Sequence, residues 1–217
     1  MIKLAAVAMT LAVSIILYFL GVEYSDRFYG LGIRHKGWLI VSRFFYIVMA
    51  VEAAGVVIYT VYRFEYDIGG KFFLSVIISI FMAVLANTDY RKNLIPNRIL
   101  VVATAVWFVI CGLSIIMEKE RGIELTGNSL AGAMFSGGAF LLCYIITKKK
   151  MGAGDVKMAA VMGLFLGGRY IFFSLIVGVM ACVIYSFVQI FRKKMSFKDG
   201  VPLAPFLFFG TVAALLL

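Results

Sequence analysis

The sequence predicts an all-α polytopic membrane protein, a bundle of about eight transmembrane segments, one of them short. Three observations carry that reading. Of the 217 residues, 63% are hydrophobic and 15% charged, whereas soluble domains run at roughly 45–50% apolar and 25% charged. The apolar residues fall in runs approaching the roughly 20 helical residues that cross a hydrocarbon core. The charged residues collect in the connections between those runs. Their balance, 21 Lys and Arg against 11 Asp and Glu, gives a net charge of +10. Basic residues placed this way report topology rather than a ligand, so the lipid bilayer is the expected surrounding and no nucleic acid is expected.

In chain order, residues 4–20 form the first span, and no small-residue cleavage site follows, so it is expected to be retained rather than removed as a signal peptide. A polar connection carries the only histidine, His35, which has no evident partner and is expected to be solvated. The second span, 38–62, holds Arg43 and Glu52. Arg43 is near enough to the end to snorkel, and at 100° per residue Glu52 falls on the opposite helix face. The third span, 72–88, delivers Asp89 at its C-terminal end, and Pro96 then pushes Ile95 out of the helical region and sets a turn. The fourth span is 99–117, followed by a mixed-charge loop, 118–128.

The fifth span, 129–147, contains Gly132, Ala133, Ser136 and Gly137, small residues four apart that permit close helix contact. Residues 155–167 are too few for a full crossing, so this segment is expected to reach partial depth or to pack inside the bundle. A long span, 170–191, and a closing one, 201–217, complete the set; Pro202 and Pro205 bracket the first turn of the last helix, where proline is tolerated. Two units are expected: an N-terminal two-helix membrane segment, 1–71, without an assignable role, and a six-segment membrane domain, 72–217. Cys111, Cys143 and Cys182 each lie in an apolar run at no metal-ligand spacing. They read as small hydrophobes, with neither a disulfide framework nor a metal site.

Eight spans place both chain ends on one side, and the odd-numbered connections then carry thirteen of the Lys and Arg residues against six for the even-numbered ones and the N-terminal end. The positive-inside rule turns the odd connections to the cytoplasm. Asp89 and Asp155 both border odd connections, so both are expected on the cytoplasmic side.

Only Glu52, Asp89 and Asp155 among the eleven acidic residues lie in or at the end of an apolar span. An ionisable group there costs about 2.5–3.5 kcal/mol at membrane depth and is usually paired, hydrated or functional. Two carboxyls at a hydrated membrane edge can share one proton, one acting as base towards water and the other donating to a carbonyl. The helix ends suggest which does which: Asp155 opens a helix and Asp89 closes one, so the macrodipoles favour charge on Asp155 and the proton on Asp89.

Asp89 with Ile95-Pro96-Asn97, then Gly152-Ala153-Gly154-Asp155-Val156-Lys157, then Pro202-Leu203-Ala204-Pro205 form an ordered set. From about residue 72 to 217 this set resembles the type IV prepilin peptidases, intramembrane aspartic proteases of the Gly-x-Gly-Asp class. The resemblance implies removal of short basic leaders from prepilins or pseudopilins after a glycine, at the cytoplasmic face of a prokaryotic plasma membrane, without cofactor or metal. It matches the catalytic aspartates to Asp89 and Asp155 and implies that Gly152, Gly154, Lys157, Pro96, Asn97, Pro202 and Pro205 bind substrate or shape the site. Longer members carry paired Cys-x-x-Cys motifs and methylate the new N-terminus; those motifs are missing from this sequence, so methyl transfer is not expected. The alternative is a small proton- or ion-coupled membrane transporter, in which intramembrane carboxylates and glycine-broken helices form the site. No internal repeat supports that alternative.

Overall fold

A computed structural model describes residues 70–148, 151–192 and 200–216. Those residues form five α-helices and no strand: α1 (Gly70–Lys92), α2 (Asn97–Met117), α3 (Lys119–Ile146), α4 (Ala153–Phe191) and α5 (Ala204–Leu215). The first four contain stretches long and apolar enough to cross a membrane, while α5 has only 12 residues. The described residues are thus all-helical, and their several apolar helices suit a multi-pass membrane protein. The expected spans 4–20 and 38–62, with His35, Arg43 and Glu52, lie outside the described residues.

The expectation of about eight transmembrane segments is not supported: the described residues form five helices, four of them long and apolar enough to cross a membrane. The expected segments 155–167 and 170–191 are the two arms of α4 on either side of a break at Gly167, where φ is 71° and ψ 174°. Only glycine reaches that backbone region without strain. The break reverses the chain. On the first arm of α4, a Cβ added to Gly163 would overlap the Gly132 carbonyl, and the Ser136 hydroxyl donates to the Ala159 carbonyl at 2.7 Å, so this arm runs antiparallel to α3. Beyond the break, Phe172 meets Phe135 with ring centroids 5.8 Å apart, back along α3. The returning arm packs antiparallel to α5: a Cβ at Gly178 would lie 2.9 Å from the Phe206 carbonyl oxygen, and Tyr185 meets Phe206 at 5.3 Å.

Gly132, Ser136 and Gly137 therefore make the close approach expected of small residues, and hydroxyl-to-backbone bonds add to the contact. Asn128 of α3 accepts the Gly168 N–H at 3.2 Å, satisfying one of the amides left orphaned where the returning arm begins.

The expected loop 118–128 is also corrected. Glu118 alone connects α2 to α3, and residues 119–128 are helical. Gly122 permits the tight turn, since a Cβ there would lie 2.5 Å from the Ile115 backbone. The Lys, Glu, Arg and Leu of that stretch are good helix formers, so their polarity marked an exposed helix end and not a break.

The core is centred on α1. Five consecutive residues, Met82, Ala83, Val84, Leu85 and Ala86, are buried. A helix enclosed on every face shows no amphipathic stripe, which is why α1 reads in sequence as a featureless apolar run.

Candidate active site

Both expected aspartates lie at one end of the bundle, brought there by opposite chain directions. Asp89 sits in the last turn of α1, buried with 5% exposure, while Asp155 lies in the first turn of α4 and is half-buried. The two carboxyls are close enough to interact as like charges. The returning arm of α4 passes the start of α5 that holds Asp89, since Tyr185 meets Phe206 with ring centroids 5.3 Å apart.

Each carboxyl is held by backbone amides at a helix start. For Asp155 the start is its own: Gly152 is the N-cap of α4, the Asp155 N–H donates to the Gly152 carbonyl at 3.1 Å, and the Gly152 N–H donates back to the Asp155 side chain. The second bond is half of a capping box, with aspartate in place of glutamate; the N-cap glycine has no side chain to supply the other half. For Asp89 the start belongs to α5: the Ala204 N–H donates to Asp89 Oδ2 at 2.9 Å, with the Leu203 N–H as a second donor. Helix N-termini carry orphan N–H groups and a partial positive charge, so they suit carboxylates. The asymmetry expected from the ends of α1 and α4 is therefore cancelled, since Asp89 also faces a helix N-terminus.

The glycines of the Gly152-Ala153-Gly154-Asp155 stretch have separate uses. A Cβ on Gly152 would sit 3.0 Å from Asp155 Oδ2, and one on Gly154 would sit 2.9 Å from Ile95 Cβ. The first keeps the carboxyl clear, and the second lets the connection after α1 lie against the turn that carries Asp155. Pro96, buried, caps α2 in an extended conformation (φ −69°, ψ 117°). Asn97 opens α2, and its side-chain oxygen accepts from Lys157 Nζ at 3.0 Å, both residues being exposed. Pro205 lies in the first turn of α5, with Pro202 just before the helix. All nine expected site residues thus gather at the dyad end.

Sequence reasoning missed Ala204 and Leu203, whose contribution is main-chain and leaves no side-chain signature. Their place between Pro202 and Pro205 was the available clue, because proline marks a helix start whose amides need partners. It also missed Ile95 as the residue against Gly154, and Asn128 as the partner of the α4 break.

The prepilin leader peptidase/N-methyltransferase of Bacillus subtilis (strain 168) is 25% identical over 174 residues, which cover 77% of this chain and 64% of the relative. The chain therefore aligns with a little under two thirds of that protein's length. No solved structure matches it. Residues 76–187 match the type IV leader peptidase family. That span takes in the end of α1 that bears Asp89, all of α2 and α3, and the start of α4 that bears Asp155, and on it the chain belongs to the type IV leader peptidase family.

Proposed function

We propose that this protein is an intramembrane aspartic endopeptidase that removes the leader from type IV prepilins or pilin-like proteins, with Asp89 and Asp155 as its catalytic pair. One observation carries the reading: two carboxyls 66 positions apart in sequence meet at one end of the bundle, each docked on backbone N–H groups and within electrostatic reach of the other. Such a pair can hold one proton between them. The ionised member takes a proton from water as the water oxygen attacks the scissile carbonyl carbon, while the other gives its proton to the carbonyl oxygen; collapse of the tetrahedral adduct breaks the C–N bond as the proton taken from water passes to the leaving amine and one hydroxyl of the adduct returns its proton to the pair.

We read this end as facing the cytoplasm of a prokaryotic cell, a reading supported by the Lys and Arg residues in the connections that border Asp89 and Asp155, and we take the substrate to be cut there after a glycine. Lys157 and Asn97, joined to each other beside the dyad, and the glycines and prolines around them shape the site. Among the described residues, the connection between α1 and α2 has four residues and the one between α2 and α3 has one, and neither is long enough to hold a methyl donor. Peptide cleavage is the activity this geometry supports. A transporter fits less well, because both aspartates lie at helix ends and not along the interior of a path.

Purified protein in detergent or vesicles is given a synthetic prepilin-like peptide. Wild type cleaves it, and Asp89→Asn and Asp155→Asn each abolish cleavage while remaining folded, with a rate that is bell-shaped in pH because the pair works only with one proton. Full activity in either variant overturns the dyad. Orientation is read separately by a cysteine at the exposed Asn93, in a background lacking Cys111, Cys143 and Cys182: labelling by an impermeant reagent in intact cells overturns the cytoplasmic placement.

A further inference from the structure

Between α1 and α2 the chain runs Asn93-Leu94-Ile95-Pro96 outside any helix. Its first amide is used, because the Asn93 N–H donates to the Asp89 carbonyl at 2.7 Å. The main-chain N–H and C=O groups of Leu94 and Ile95 make no hydrogen bond among the described residues. Proline at 96 disfavours the helical region for Ile95, and Pro96 itself is extended, so this is a short non-helical stretch whose Leu94 and Ile95 main-chain groups have no partner among the described residues. Unpaired main-chain groups of this kind need water or an incoming chain.

The position of that edge gives it meaning. Its first residue is four beyond Asp89, and its Ile95 side chain lies against Gly154, the neighbour of Asp155. It therefore borders both carboxyls. The non-helical stretch leading into α5 is spent differently: Pro202 has no N–H, and the amides of Leu203 and Ala204 are turned to Asp89. The Leu94–Ile95 edge keeps its donors and acceptors, and Leu94 adds an apolar side chain that is 40% exposed.

We infer that the Leu94–Ile95 edge is the docking strand for the substrate, which lies along it as an added strand during cleavage. This rests on the peptidase reading and deepens it. A peptide bond inside a helix is shielded, and unwinding it near the membrane leaves main-chain groups that must be satisfied at once. A free edge beside the carboxyls satisfies them. Recognition of this kind takes its affinity from main-chain bonds and its selectivity from alternate side chains. The substrate is thus an extended polypeptide segment held through its backbone at the positions that lie along this edge.

The test is an amide-to-ester scan of a cleavable peptide, each ester removing one N–H donor and weakening one carbonyl acceptor at positions around, but not at, the scissile bond. The all-amide peptide establishes cleavage, and its dependence on Asp89 is checked with Asp89→Asn. Strand docking predicts a loss of roughly five- to tenfold in kcat/KM, mainly through KM, at positions two apart, and near-wild-type values between them. A flat profile with the parent peptide still cleaved overturns the docking strand and leaves the peptidase intact. Failure to cleave the parent overturns both. On the protein side, Leu94→Cys in the background lacking native cysteines is cross-linked to single-cysteine peptides. Preferred cross-linking at alternate positions supports the strand, and none at any position overturns it.

Discussion

The backbone N–H of Ala204 donates to the Asp89 carboxyl at 2.9 Å, joining the start of the last helix to the end of the first described one across 115 positions of chain. The contact gives a segment without ionisable side chains a place in the site. Replacing Ala204 by proline removes the donor while keeping a residue accepted at a first helical position. Leu203, at φ −87° and ψ −32°, must then shift towards extended backbone. Hydrogen bonds to charged groups are worth about 1.5–3 kcal/mol, so Ala204→Pro is expected to lower kcat about 10- to 100-fold. Ala204→Gly keeps the N–H and should stay near wild type. Circular dichroism confirms that both variants fold, and equal rates in the two would deny Ala204 its role.

A second expectation concerns the bond from Lys157 to Asn97, which ties the first turns of α4 and α2 together beside the dyad. Both residues are exposed, so the contribution to stability is small, about 0.2–1 kcal/mol. Loss of cleavage in Lys157→Met that exceeds this, with restoration in Lys157→Arg and little change in Asn97→Asp, assigns the pair to holding the site together. Loss in Lys157→Met with none in Asn97→Ala assigns the lysine to substrate instead.

The chemistry was more legible in the sequence than the architecture. Asp89, Asp155 and the glycines before Asp155 could be singled out because an ionisable group in an apolar chain is costly and glycine marks close approach. Pro96 and Pro205 likewise announced a turn and a helix start. The break between 155–167 and 170–191 was legible in Gly167-Gly168-Arg169, but the reversal of the chain there was not, because it is set by one positive φ and by Asn128 from another helix. The start of α3 was hidden because its polar residues lie on an exposed helix end. Carboxylate support from Leu203 and Ala204 is main-chain, and the apparent opposition between the ends of α1 and α4 misled because the dipole acting on Asp89 comes from α5.

The contact between α3 and the first arm of α4 yields a stability test. A Cβ at Gly132 would overlap the Gly163 carbonyl and come within 2.7 Å of the Gly167 backbone. Gly132→Val is expected to destabilise by about 1–3 kcal/mol, the usual cost of overpacking. Gly138, with nothing near its Cβ position, should accept alanine without loss. Thermal unfolding in detergent compares the two, and equal stability would show that the helices are not in backbone contact.

Mass spectrometry of the processed peptide is expected to show a free amine at the new N-terminus, even with a methyl donor supplied. The expectation follows from the absence of paired Cys-x-x-Cys motifs from this sequence. A product heavier by one methyl group would place transferase activity in this chain and reverse it.

The last expectation ties the break in α4 to the pairing of the carboxyls. Asp155 begins the first arm, and the returning arm packs on α5, which holds Asp89. The turn at Gly167 therefore lies on the path that fixes one carboxyl relative to the other, and Asn128 fastens it by accepting the Gly168 N–H. Asn128→Ala leaves that amide without its acceptor and frees the first arm to move. Interaction between two charges weakens as they separate, so the two limbs of the pH–rate profile, whose spacing reports the pair, should draw closer together, with kcat lowered. Asn128→Asp keeps an acceptor oxygen and should restore the spacing. A merely structural weakening lowers the height of the curve without changing its width. An unaltered width in Asn128→Ala would therefore separate the turn from the chemistry.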